Sequence, residues 1–326
     1  MVDVVAVHTP VTSTTDAPAV FPALLQRCHA FEPLPVAVCQ PASEVALGGV
    51  IEAVAAKLIA PVCVGDRAVI ESIAGAHNFD IGALEIVDKP DDEAAAQYCV
   101  DLCRDGKTQA LMKGSLHTDA LMHAVMQSAT GPNGRGLRGK RRLSHVFVMD
   151  APAYAKPLLI TDAAINIQPT LEDKVDILKN AIGLAHALGI PEPKVAILSA
   201  VETVNAKIAS TLDAAALCKM ADRRQIEGAV LDGPLAFDTA ISAEAARIKH
   251  LHSAVAGAVD ILLVPDLESG NMLAKQLEYL GGAKTAGIVL GASVPIILTS
   301  RADSAEDRLA SCALAVMYAR WCRDTK

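Results

Sequence analysis

Leu111-Met112-Lys113-Gly114-Ser115-Leu116-His117-Thr118 reads as the end of a buried strand followed by the start of a helix. The apolar run stops at Lys, Gly and Ser, and helical spacing takes over near Thr118 or Asp119. The same order of apolar run, polar turn and helix recurs along the chain. Pro295–Thr299 runs on into Ser300-Arg301, and Ile261–Pro265 leads through Asp266 to a helix expected near Gly270. Other β-branched runs fall at Val36–Cys39, Pro61–Gly65, Leu84–Val87, Ala110–Lys113, His145–Met149 and Leu158–Thr161. Val195–Ser199, Ala229–Leu231 and Gly287–Leu290 continue the series. Helical patterns such as Glu44–Leu58, Glu93–Arg104, Asp119–Gln127 and Leu171–Leu188 separate most of them. Strands separated by helices give parallel sheets covered on both faces. The fold class is α/β. Two such sheets need a seam, and the Gly- and Arg-rich stretch Gly131–Arg142 is the strongest loop signal in the chain.

The 326 residues suffice for about two domains. At 52% hydrophobic the chain has ample material for a core, which excludes disorder over most of its length. Residues 1–32, rich in Thr, Pro and Ala, read as a tail with at most one short helix. A net charge of -8 argues against a general nucleic-acid binder. No uninterrupted apolar stretch reaches ~18 residues, so no membrane span is expected. No Lys or Arg precedes Arg27, which argues against a signal peptide. The eight cysteines are scattered without a zinc-ligand pattern, and the histidines form no metal-ligand set, so no metal is expected and the thiols read as free and cytoplasmic.

Four places carry candidate chemistry. At the first, Gly114 permits an unusual backbone, while Lys113, Ser115 and Thr118 sit beside a helix N-terminus that favours an anion. The second is Gly134-Arg135-Gly136-Leu137-Arg138-Gly139-Lys140-Arg141-Arg142. It matches the G-x-G-x-x-G spacing, but a helix precedes it and a strand follows, the reverse of the dinucleotide fingerprint. What survives is five cations in eight residues, suited to a small polyanion such as a nucleotide or coenzyme A. At the third, Asn271 and Lys275 share a helix face, and spacing leaves open whether Lys275 binds an anion or lies solvated. At the fourth, Arg301 at a strand end suits bidentate binding of an oxyanion, with Ser300 as a hydrogen-bond donor. Asp303 or Ser304 caps the helix that follows, and Asp307 lies one turn in.

Taken together these segments resemble the phosphate acetyltransferase and phosphate butyryltransferase family over roughly residues 33 to 320. The resemblance rests on Lys113-Gly114-Ser115 with Thr118, Ser144-His145-Val146-Phe147, and Thr161-Asp162-Ala163-Ala164-Ile165-Asn166 with Pro169. It continues through Pro193-Lys194-Val195-Ala196, Ser199-Ala200-Val201-Glu202, Asp232–Asp238, Gly270-Asn271, Lys275 and Ser300-Arg301. The wording is nearest to the acyltransferase half of bifunctional enoyl-CoA hydratase/phosphate acetyltransferase proteins. Only a short tail stands where a hydratase domain would be, so hydratase activity is not expected.

The resemblance implies reversible conversion of acyl-CoA and phosphate to acyl phosphate and coenzyme A. It also implies a two-domain fold like isocitrate and isopropylmalate dehydrogenases, with a cleft between domains and a homodimer. On that reading residues 33–143 form the first domain, completed by 293–326, and 144–292 form the second. Ser300, Arg301 and Asp307 are the implied catalytic residues, with Lys113, Gly114, Ser115 and Thr118 completing a phosphate site. Arg138, Arg141, Asn271 and Lys275 are candidates for coenzyme A, a substrate; no cofactor is expected to be permanently bound. Acetyl or another short acyl group is expected, transferred directly in a ternary complex. Longer-chain butyryl transfer, or a metal- and NAD-dependent dehydrogenase on the same fold, are the alternatives. A non-catalytic coenzyme A-binding protein is a third; an intact Ser300-Arg301 with Lys113 speaks against it.

Overall fold

A computed structural model describes residues 19–127, 136–298 and 303–325. In chain order the elements begin with α1 (Val20–Cys28), β1 (Leu34–Cys39), α2 (Glu44–Ala55), β2 (Ile59–Gly65), α3 (Arg67–His77) and β3 (Glu85–Asp88). Next come α4 (Asp92–Arg104), β4 (Ala110–Lys113), α5 (Thr118–Met126), β5 (Ser144–Asp150), β6 (Leu158–Thr161) and α6 (Leu171–Ala187). They are followed by β7 (Lys194–Leu198), α7 (Ala209–Asp222), β8 (Val230–Leu235), α8 (Phe237–Ile241) and α9 (Ala243–Ile248). The chain ends with β9 (Ile261–Leu263), α10 (Leu267–Tyr279), β10 (Lys284–Leu290), β11 (Ile296–Ile297) and α11 (Ala305–Asp324). Every β-branched run singled out above carries a strand. The helix expected near Gly270 starts earlier, at Leu267, because the Asp266 carboxylate caps it by accepting from the Ser269 amide.

Among the described residues the strands form one sheet of eleven, ordered β3-β2-β1-β4-β11-β10-β5-β6-β9-β7-β8, not two sheets joined at a seam. Each wing is parallel within itself. The pairs β11–β10, β10–β5 and β5–β6 are antiparallel, so the wings run in opposite directions. The reason is local. No helix separates β5 from β6 or β10 from β11, and a parallel pair needs a crossover of a dozen or more residues. The described end of the expected seam, 136–142, links α5 to β5. It is held by Leu137 N–H to the Val125 carbonyl at 2.9 Å and by a bridge from Arg138 to Ala292.

Alternate residues of the strands feed opposite layers. Val36, Val38, Ala110, Met112, Val146 and Val148 face a core closed by α1, α2, α6, α7 and α11. On the other face, Ala37, Cys39 and Leu111 pack under α4 and α5, while Met149, Leu158 and Ile160 pack under α8, α9 and α10. The central strands lie between those two clusters. The segment expected as a tail carries a packed helix. Phe21, Leu24 and Cys28 of α1 are buried, and the Arg27 guanidinium donates to the Leu188 carbonyl at 2.7 Å. No helix among the described residues is long and apolar enough to cross a membrane.

Candidate functional site

Register brings the strand ends of the first wing level with one another. Lys113 pairs with Cys39, and Ile297 pairs with Met112, so Leu298 stands level with Lys113. The turn after β4 is built against the end of β1. Gly114 N–H donates to the Cys39 carbonyl at 2.8 Å, and the Ser115 amide and hydroxyl both donate to the Gln40 carbonyl, at 2.7 and 3.0 Å. Gly114 and both donors of Ser115 are therefore spent on the turn. The Lys113 ammonium reaches the Gly114 carbonyl at 3.2 Å. Thr118 opens α5 behind His117, whose side chain makes no capping bond, so the cap expected from Thr118 or Asp119 is absent.

Gln40 was not singled out in the sequence, yet it ties the strand ends together. Its side-chain amide donates to the Lys89 and Pro90 carbonyls and accepts from Asp66 N–H, while its backbone takes φ 52°. Only its place between a strand and Pro41 hinted at this.

Ser300 and Arg301 lie outside the described residues. Both flanks of their segment are fixed. On one side Leu298 directly follows β11, which ends at Ile297. On the other, the Arg308 guanidinium donates to the Asp303 carbonyl at 2.5 Å, and Ser304 and Asp307 form a reciprocal capping box on α11. Asp307 accepts from Ser304 N–H at 3.1 Å, from the Ser304 hydroxyl at 2.6 Å, and from Thr285 N–H of β10 at 3.1 Å. Its carboxylate is a clasp between helix and sheet. Lys275 of α10 belongs to the same neighbourhood. Partial burial opposes its charge, but Glu278 at 2.8 Å, Tyr279 and Asp303 together raise its pKa above the ordinary lysine value.

The other expected coenzyme A contacts separate. The Asn271 amide donates to the Ala163 carbonyl at 3.2 Å and holds α10 to the turn after β6. That turn is organised by buried Asp162, which accepts from Ala164, Ile165 and Asn166 amides. Arg142 is structural: it donates to Asn166 Oδ1 at 2.5 Å and pairs with Asp173 at 3.1 Å. Arg138 borders the β10–β11 connection. Arg141 does not join Lys113 or Lys275; it lines a concavity between α6 and α11 on the opposite layer. A cationic loop without periodicity gives no sign of which face each arginine takes.

His145 lies on the floor between the α5 and α10 clusters. Its ring stands edge-on to Phe147 at 4.3 Å and leans over Gly287, where a Cβ would come within 2.6 Å of the imidazole. It is 3% exposed, its Nδ1 has no hydrogen-bond partner, and burial pushes its pKa down to about 4. Between that value and the unfolded ~6.5 the unfolded chain binds more protons. This contribution is therefore complete above pH ~6.5 and is lost as pH falls toward 4, by roughly 3 kcal/mol. Urea unfolding of wild type and His145→Asn across this range is expected to show the wild type losing stability more steeply. Parallel pH profiles would contradict it.

Burial also pushes the Cys63 and Cys312 thiols up to about 12, which leaves them poor nucleophiles. Among the described residues no three His, Cys, Asp or Glu side chains gather to hold a metal ion.

The sequence pattern of the family described as "Phosphate acetyl/butaryl transferase" matches residues 98–316. The chain belongs to this family. A phosphate acetyltransferase of Rhizobium meliloti is 58% identical over 302 residues, covering 93% of this chain and 94% of that protein. A phosphate butyryltransferase of Clostridium acetobutylicum is 41% identical, covering 92% of this chain and 98% of that one. The crystal structure of a branched-chain phosphotransacylase from Enterococcus faecalis V583 superposes with a TM-score of 0.76 at 32% identity, covering 88% of this chain and 99% of that one. As a member of the phosphate acetyl/butyryl transferases this chain is an acyltransferase, and the mixed sheet described above is that of a phosphotransacylase.

Proposed function

We propose that this acyltransferase interconverts acetyl-CoA and phosphate with acetyl phosphate and coenzyme A, by direct transfer in one ternary complex. The observation that carries the reading is the 58% identity to a phosphate acetyltransferase across nearly both whole chains. The face between the α5 and α10 clusters would be the cleft of a two-domain molecule, assembled as a homodimer. A phosphate oxygen attacks the thioester carbonyl, the C–O bond forms, the C–S bond breaks, and the phosphate proton passes to the departing thiolate. Lys113, Thr118 and the N-terminus of α5 would hold phosphate, with Gly114 and Ser115 shaping the turn. Arg301 would neutralise phosphate and polarise the carbonyl, and Ser300 would donate to the developing oxyanion. Lys275 and Arg138 would meet coenzyme A phosphates. Relative turnover of acetyl, propionyl and butyryl phosphate tests chain length, with butyryl favoured if the likeness to the butyryltransferase dominates.

A covalent route needs an activated nucleophile beside a base. Direct transfer instead draws on holding both substrates together. Enzyme incubated with acetyl phosphate and labelled phosphate, without coenzyme A, is expected to exchange no label; appreciable exchange would mean an acetyl-enzyme.

Asp307 would act by position, because three donors already occupy its carboxylate. Asp307→Asn is expected to cost about 1 kcal/mol of stability, as for a lost cap, and to leave the pH profile of turnover unchanged. A drop of ~10²–10⁴ with loss of the acidic limb would make it the general base instead.

A further inference from the structure

On the layer away from Lys113, α6, α11 and the turn after α7 enclose a concavity of about 280 Å³. Arg141, Lys179, Arg224, His186, Glu227 and Trp321 line it. Other cations of the second wing have carboxylate partners: Lys174 with Asp213, Arg142 with Asp173 and Lys249 with Glu202. Among the described residues no carboxylate pairs with Arg141, Lys179 or Arg224, although Glu227 shares their rim. Three unneutralised cations converging in a chain of net charge -8 repel one another unless an anion sits among them. His186 adds a fixed wall, its Nε2 donating to the Gly228 carbonyl at 2.8 Å.

We propose that this concavity binds a small phosphate monoester. A phosphate monoester carries close to two negative charges at neutral pH and offers three acceptor oxygens. Two guanidinium forks and an ammonium suit such a group. The volume lies at the lower end of ligand pockets, about 300 Å³, so there is room for a compact organic body beyond the phosphate. Ile182, Gly183 and the Trp321 ring supply an apolar wall for it. A nucleoside monophosphate and a sugar phosphate share this chemistry.

Trp321 is the single tryptophan of the chain, so its emission reports on this wall alone. Titrating the intact protein with AMP and with ribose 5-phosphate is expected to give a saturable change with at least one. Calorimetry on the same protein should return the same affinity. A response to AMP alone assigns a nucleotide, and an equal response to both assigns the phosphorylated sugar. Lys179→Gln and Arg224→Gln should each weaken binding roughly tenfold while leaving acetyl transfer unchanged. Saturating coenzyme A should not displace the ester, because the catalytic site lies on the other layer. Three results would overturn the proposal: no saturable response to either ester, an equal response to sulfate, or displacement by coenzyme A. The acyltransferase reading survives any of them, because it is read from turnover.

Discussion

Arg301→Ala is expected to lower turnover by about 10²–10³, the scale of losing one preorganised donor to developing charge. Arg301→Lys should recover only part, since an ammonium cannot present two parallel donors to phosphate and carbonyl oxygen at once. The effect should fall on kcat more than on the Michaelis constant of coenzyme A, because in the proposed mechanism the charge acts where the thioester breaks. Rapid-quench assay of acetyl transfer measures it. A variant within threefold of wild type would remove Arg301 from the chemistry. The described residues on the C-terminal side of Arg301 are tied to one another and to the sheet. The Asp303 carbonyl, Ser304 and Asp307 are all bonded to Arg308, to each other or to β10.

The strands were legible because most are buried on both faces and so write continuous β-branched runs into the sequence. Their order was not, because order depends on which edges pair. The antiparallel centre did leave a trace in the short connections after Asp150 and Leu290, too short for a crossover. The site divides in the same way. The Ser304-x-x-Asp307 spacing is a capping signature, and capping is what the structure realises there. The tie from Asp307 to Thr285 spans two elements and leaves no local sign. Ser115 reads equally well as an anion donor or as a turn fastener, and only the position of Gln40 decides between them. Gln40 itself lacked any motif, because its role comes from four strand ends meeting.

That meeting point sets the second large effect. Gly114→Ala is expected to destabilise the protein by more than about 4 kcal/mol, in the range reserved for severe steric or burial faults. An added Cβ would stand 2.1 Å from the Gln40 carbonyl oxygen and 2.5 Å from that of Cys39. Both are backbone atoms. The Cys39 carbonyl also accepts Gly114 N–H, and the Gln40 carbonyl carries both Ser115 bonds. Relief therefore means moving β1 away from β4 or breaking the turn that holds Lys113. Either outcome should also raise the Michaelis constant for phosphate in whatever fraction folds. Gly75→Ala supplies the contrast. Gly75 lies within α3 with nothing inside 4 Å of its added Cβ, so alanine there is expected to stabilise by about 0.5–1 kcal/mol through helix propensity alone. Urea unfolding of the two variants side by side separates crowding from intrinsic glycine effects. If Gly114→Ala unfolds within 1 kcal/mol of wild type, the β1–β4 turn has slack, and the placing of Lys113 by that turn would have to be abandoned.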